Sequence, residues 1–152
     1  MKILEILKRE AIIADLQATN KKSVLEELVL PVSAIAGIEP EILVKVLLER
    51  ERLGSTGIGN GIGIPHGKLK DLEEMVIGFG LSRTGVEFES IDGDPTHIFF
   101  VLMTPENSTG LHLKLLARIS RILKNEAFRD RLMKASDSEE IYHIIEEEDE
   151  EF

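Results

Sequence analysis

Five glycines, interleaved with isoleucines, fall between Gly54 and Gly63, and the run closes on Pro65, His66, Gly67 and Lys68. Glycine lacks a Cβ, so its backbone N–H can approach a ligand closely and reach positive φ. Pro65 fixes one dihedral directly before His66 and biases Ile64 toward an extended conformation. The combination holds an imidazole on stiff backbone beside peptide donors, and successive N–H groups of this kind form anion-binding nests. Near neutral pH that imidazole is a neutral nucleophile, its ordinary pKa being about 6.5.

Two nucleotide fingerprints fail on this run. A P-loop needs a glycine five residues before its Gly-Lys pair and Ser or Thr after it; Gly67-Lys68 has Ile62 before and Leu69 after. The dinucleotide pattern G-x-G-x-x-G meets Ile62 when started at Gly57 and Ile64 when started at Gly59. What is left is a histidine in an anion-friendly loop, which points to a phosphoryl group carried on the histidine itself.

The elements around the run read as helices and strands that would present it. Ile3, Leu4, Ile6 and Leu7 suit one or two helical turns, and Ala11 to Ala14 a buried strand. Asn20 is an N-cap candidate for a helix carrying Val24, Leu25, Leu28 and Val29, which Pro31 should kink or shorten and Gly37 should end. Pro40 opens a second helix with Ile42, Leu43, Val46 and Leu47 on one face, closed at Gly54. The charged residues Glu49 to Arg52 then fall on its last turn, beside the glycines. Met75–Leu81, Val86–Ile91 and His97–Met103 read as strands, with a turn at Asp92–Pro95 between the last two. A loop from Pro105 to Gly110 and helices at about Leu111–Leu123, Ala127–Lys134 and Glu139–Glu146 complete the chain. Ser136 or Asp137 can cap the last of these. Strands flanked by helices from both ends imply a three-layer α-β-α sandwich in a single domain.

Ile62-Gly63-Ile64-Pro65-His66-Gly67, with Ile58 and Gly59 ahead of it, resembles the phosphohistidine signature of phosphotransferase-system IIA domains of the fructose/mannitol type. The longer run from Gly54 through Asn60 to Ile62 is most similar to the nitrogen-regulatory branch, and the resemblance extends from about Leu4 to about Ile145. One departure is Gly63, where the family commonly has alanine; a missing methyl there should loosen the loop. The resemblance implies a mixed central sheet covered by helices, in an α/β (α+β) fold. It assigns residues 1–146 to the IIA type-2 domain and leaves residues 147–152 as an acidic C-terminal tail. It further implies that His66 accepts phosphate on Nε2 from a phosphohistidine carrier protein (HPr-like). Arg50, sixteen positions upstream, and His112, in a His-Leu-x-x-Leu setting at the start of a helix, would bind the phosphate. A guanidinium offers a rigid fork suited to phosphate oxygens, and a helix N-terminus adds partial positive charge near an anion. Asn60 occupies a position where relatives carry Glu or Asn beside the histidine, although Asn in a glycine loop also simply tolerates left-handed geometry. The next partner would be a regulatory target protein or, in a sugar-uptake role, a separate IIB domain with a cysteine acceptor. No dissociable cofactor or metal is implied.

His97 and His143 read as structural, and with no acid at ligand spacing around them a zinc site is not indicated. Asp92 and Asp94 flank a turn glycine and read as shaping a hairpin rather than holding calcium. The chain has 152 residues, 43% of them hydrophobic, no cysteine and a net charge of −10. That length suits one domain with a substantial core, and the absence of cysteine excludes disulfides and thiolate chemistry. No apolar run approaches the roughly 20 residues that span a bilayer, and the charged N-terminus lacks signal-peptide character, so a cytoplasmic protein is expected. Nine of the 28 acids lie beyond Ala135 with no Lys or Arg among them, leaving the rest nearly neutral. Such runs are typically solvated and disordered. Nucleic-acid binding needs a basic stripe, and none is present.

Overall fold

A computed structural model describes residues 2–151. Short 3-10 turns at Ile3–Glu5 and Arg9–Ala11 lead into strand β1 (Ile12–Ile13). Helices α1 (Lys21–Ala36) and α2 (Pro40–Glu51) follow. The glycine run then forms β2 (Gly57–Gly59), β3 (Ile62–Gly63) and β4 (His66–Leu69). Long strands β5 (Val76–Val86) and β6 (Thr96–Pro105) make the sheet's spine, and α3 (Thr109–Leu123), α4 (Glu126–Lys134) and α5 (Ser138–Glu151) end the chain.

The sheet is mixed, in the order β1-β5-β6-β3-β2, with β4 also on β6. Strand β6 runs antiparallel to β5 on one side. On its other side it pairs in parallel first with β3 and then with β4. Because side chains alternate across a strand, β6 feeds two cores. Ile98, Phe100 and Leu102 enter a cluster with Leu115, Ile119 and Ile122 of α3 and Ile141 and Ile145 of α5. Phe99, Val101 and Met103 enter a second cluster with Val24 and Leu28 of α1 and Leu43 and Leu47 of α2. The sandwich is therefore three-layered, as the order of elements implied.

Local signals set most element ends. The Asn20 side chain accepts from Ser23 N–H at 3.0 Å, and Gly37 ends α1 in the left-handed region at φ 69°. Asp137 caps α5, accepting from Glu140 N–H at 2.8 Å. Four expectations change. Pro31 does not shorten α1, which continues to Ala36, its buried face outweighing one lost backbone bond. The strand expected over Val86–Ile91 is only the end of β5; Glu89 turns to φ 57°, which breaks the alternation that sequence suggested. The glycine run is not an open loop but a paired hairpin, whose tip Asn60-Gly61 has both φ positive, at 57° and 75°. A two-residue turn of that sense matches strand twist and favours Asn-Gly. Gly63 is likewise paired on both sides rather than slack, and a methyl on it would lie 3.1 Å from the Phe99 ring.

The fourth change concerns the acidic end. Residues 147–151 continue α5 instead of forming a disordered run. Asp149 is buried, accepts backbone N–H bonds from Ile3 and Leu4 at 3.1 Å each, and pairs with Arg118 at 2.9 Å. Glu148, also buried, accepts from the Asn125 amide at 3.1 Å. Two of the acids thus staple the N-terminal turn and α4's cap to α5, while Glu146, Glu147 and Glu150 face solvent.

Candidate active site

His66 opens β4, the strand that borders β6 with its other edge unpaired among the described residues. The Ile64-Pro65 step separates β3 from β4 and turns the Ile64 carbonyl toward the ring. His66 Nδ1 lies 2.8 Å from that oxygen. A carbonyl can only accept, so Nδ1 carries the proton and Nε2 keeps its lone pair. The ring is half-buried. Burial holds its pKa below the usual 6.5, the Ile64 bond opposes this, and the charges of Arg50 and Lys68 lower it further. His66 is therefore neutral at pH 7, with a nucleophilic Nε2.

Directly after it, Gly67 has no room for a side chain: a Cβ would meet Val46 Cγ1 at 2.6 Å. This close approach of α2 to β4 brings the last turn of α2, and Arg50 with it, to the site. Arg50 donates from Nη1 to the Gly54 carbonyl at 2.9 Å, which steadies the guanidinium beside the glycine hairpin. The neighbouring Glu51 is buried and holds the hairpin's entry. It accepts from Thr56 N–H at 3.1 Å and from the Thr56 hydroxyl, and pairs with Lys21 of α1 at 2.9 Å.

His112 comes from the first turns of α3, on the far side of the sheet edge. Its ring centroid is 5.4 Å from that of His66. It is 4% exposed, and Nδ1 lies 2.7 Å from the hydroxyl of the fully buried Thr104. Burial, reinforced by the charges of His66 and Lys68, lowers its pKa to about 4, so this ring too is neutral at pH 7. Lys68, two residues beyond His66 on the same side of β4, reaches Thr109 Oγ1 on α3 at 3.0 Å.

Three of the four site residues expected from sequence, His66, Arg50 and His112, are thus brought together. Asn60 is not. It sits at the hairpin tip, its backbone N–H bonded to Asp92 Oδ2 at 3.0 Å, and among the described residues no hydrogen bond joins it to His66 or His112. Its positive φ explains an Asn there without a ligand. Asp92 also accepts from Asp94 N–H at 3.0 Å, and these backbone bonds lower its pKa; it shapes the turn. His97 bonds from Nδ1 to the Ser82 carbonyl at 2.8 Å, a structural role. His143 does have acids at helical spacing, Glu139 at 3.9 Å and Glu146 at 3.5 Å, which corrects the reading that none stood near it.

Lys68 and Thr104 were not singled out from sequence. Lys68 had a signal: once His66 is on a strand, alternation puts residue 68 beside it. Thr104 had none, because its place depends on the register of β6 and on where α3 docks.

Chemically, the site offers an uncharged ring nitrogen with its lone pair free, a second neutral imidazole, and two cations around them. That set can receive a dianionic group and balance its charge. Transfer of a phosphoryl group depends mainly on such positioning and neutralisation.

The chain matches the family described as phosphoenolpyruvate-dependent sugar phosphotransferase system, EIIA 2, over residues 5–148. It is 37% identical to a nitrogen regulatory protein of Bradyrhizobium diazoefficiens over 95% of each chain. It is 35% identical to the fructose-specific EIIABC component of the phosphotransferase system of Bacillus subtilis, over 98% of this chain but 24% of that protein. The crystal structure of the nitrogen regulatory protein IIA-Ntr from Neisseria meningitidis superposes with a TM-score of 0.88 at 34% identity, covering 93% of this chain and 97% of that one. A family match over nearly the whole chain, together with relatives of the same length and fold, leads to one conclusion: the chain is a member of the EIIA type-2 family of the phosphoenolpyruvate-dependent phosphotransferase system.

Proposed function

We propose that this protein is a phosphoryl carrier that takes phosphate onto His66 Nε2 from a phosphohistidine carrier protein (HPr-like) and acts in regulation, as nitrogen-regulatory IIA proteins do by name. The observation that carries the reading is the Ile64 carbonyl on His66 Nδ1, which leaves Nε2 as the one nucleophilic atom of the ring. In the transfer, the Nε2 lone pair forms a bond to phosphorus as the donor's P–N bond breaks, and that pair returns to the donor ring. No proton has to move. Nδ1–H stays on the Ile64 oxygen, so the phosphorylated ring carries positive charge and remains a good leaving group for onward transfer. Arg50 and His112 bind the phosphoryl oxygens, and Lys68 adds charge beside them. Asn60 is left to the hairpin turn.

The phosphoryl group itself carries about two negative charges at pH 7, offset in part by the positive charge of the ring that bears it, and stands at a surface edge where a target protein would meet it. The two forms would then select different partners. We place the exchange in the cytoplasm, where phosphoenolpyruvate is made.

The resemblance to the fructose-specific EIIABC component favours one second reading, in which His66 passes phosphate to a cysteine of a separate IIB domain. Incubation with the energy-coupling enzyme, the carrier and phosphoenolpyruvate tests the shared core. Phosphate should appear on this chain and be lost in His66→Ala; labelling that persists in the variant overturns it. Adding a purified IIB domain then separates the readings. Rapid discharge to the IIB cysteine would favour sugar uptake, and retention of the phosphate favours regulation.

A further inference from the structure

His112 is neutral and buried, and a neutral imidazole has one N–H to give. Which nitrogen holds it decides whether this ring helps or hinders a phosphate on His66. If Nδ1 held the proton, Nε2 would present a lone pair, which repels phosphoryl oxygens. If Nε2 held it, the ring would be a donor.

The deciding group is Thr104. Its hydroxyl is fully buried and lies 2.7 Å from His112 Nδ1. Among the described residues that ring nitrogen is its only side-chain or backbone partner in the site. A buried hydroxyl whose hydrogen finds no acceptor is costly. The hydroxyl satisfies its hydrogen by donating to Nδ1, which makes Nδ1 the acceptor and puts the ring proton on Nε2. Thr104 sits on β6 opposite Lys68 in register, so the strand that supports β4 also fixes the ring of α3.

We propose that Thr104 is a positioning residue that locks His112 in the Nε2–H tautomer, so that it donates to the phosphoryl group on His66. The two rings are then set in opposite senses by two buried oxygens. The Ile64 carbonyl, which can only accept, frees a lone pair on His66. The Thr104 hydroxyl, which donates, supplies an N–H on His112. The pair is preorganised before phosphate arrives, which is how such donors contribute most.

This inference rests on His66 being the phosphoryl acceptor, and its test separates the two ideas. Imidazole tautomers are read in the unphosphorylated full chain by two-dimensional NMR correlating ring nitrogens and carbons, in wild type, Thr104→Val and Thr104→Ser. Wild type and Thr104→Ser should show His112 as Nε2–H, and Thr104→Val should show a mixture of tautomers or Nδ1–H. Single-turnover phosphoryl transfer from the carrier protein should then fall about tenfold in rate constant in Thr104→Val, with the concentration dependence on carrier unchanged, because Thr104 is buried and touches no partner. Thr104→Ser should restore the rate. His112 found as Nδ1–H in wild type overturns the inference even if His66 is phosphorylated. So does a Thr104→Val chain with an unaltered tautomer and rate. Should wild type take no phosphate at all, the functional reading fails while the tautomer result still decides the role of Thr104.

Discussion

Burial lowers the pKa of both imidazoles of the site, and for His112 the consequence can be read from the pH dependence of stability. His112 has a folded pKa of about 4 against 6.5 for a free side chain. Between these values the unfolded chain binds the extra proton and the folded chain does not. Its contribution to stability is therefore fully present above the unfolded value and is lost as pH falls toward the folded one. Between about pH 7.5 and about pH 5 this amounts to about 2 kcal/mol. Urea unfolding at the two pH values should show His112→Gln losing that much less stability than wild type; equal losses would contradict the buried, neutral assignment. Arg50 supports a second test at this scale. Lysine keeps the charge but lacks the fork that reaches the Gly54 carbonyl and a phosphate together. Arg50→Lys should slow single-turnover phosphorylation of His66 by about tenfold, and an unchanged rate would remove Arg50 from the phosphate's contacts. His66 could be read from residue type and its Pro-Gly-rich setting, and Arg50 and His112 came with the resemblance. Asn60 reads two ways in sequence because one residue type serves both a ligand site and a left-handed turn, and its place at the hairpin tip favours the turn.

At the scale of elements, the approach of α2 to β4 aligns the site. Gly67→Ala would press a methyl against Val46 Cγ1 at 2.6 Å, and valine's branched side chain has little freedom to move aside. A cost of about 1–3 kcal/mol is expected, measured by chemical denaturation. Val46→Ala in the same chain should relieve most of it. A double variant that adds the two separate costs instead would show that the contact is not what excludes a side chain. The helices were largely legible in sequence, because Asn20, Gly37 and Pro40 mark their ends through local chemistry. The strands of the glycine run were not. Residues 57–59 and 62–63 carry almost no β-forming side chains beyond isoleucine, and their pairing is imposed by β6 and by the Asn60-Gly61 turn. The expected strand over Val86–Ile91 failed for the reverse reason: its alternation is real, but Phe88 and Ser90 are buried by loop geometry rather than by ladder pairing.

Across the whole molecule, charge and stability are organised differently from what composition suggested. The acids beyond Ala135 are not a free tail. Asp149 joins the end of α5 to the first turn of the chain and to Arg118. Asp149→Ala should cost about 2–3 kcal/mol, whereas Glu147→Ala, at an exposed pair with Arg131, should cost less than about 1 kcal/mol. Comparable values for both would mean that the terminus is solvated after all. A mostly local alphabet of caps and glycines made the three layers readable. The burial of two acids near the chain end was not, because their partners are set by tertiary packing: Asp149 meets Ile3 and Leu4 at the other end of the chain, and Glu148 meets the cap of α4.

The central claim is that the Ile64 carbonyl holds the proton of His66 on Nδ1 and so directs phosphate to Nε2. The most direct measurement is nitrogen–phosphorus coupling by NMR in the 15N-labelled protein after phosphorylation by its carrier. The account predicts phosphorus coupled to Nε2 of His66, with Nδ1 still bearing its proton. Phosphate on Nδ1, or on any other residue, would contradict it.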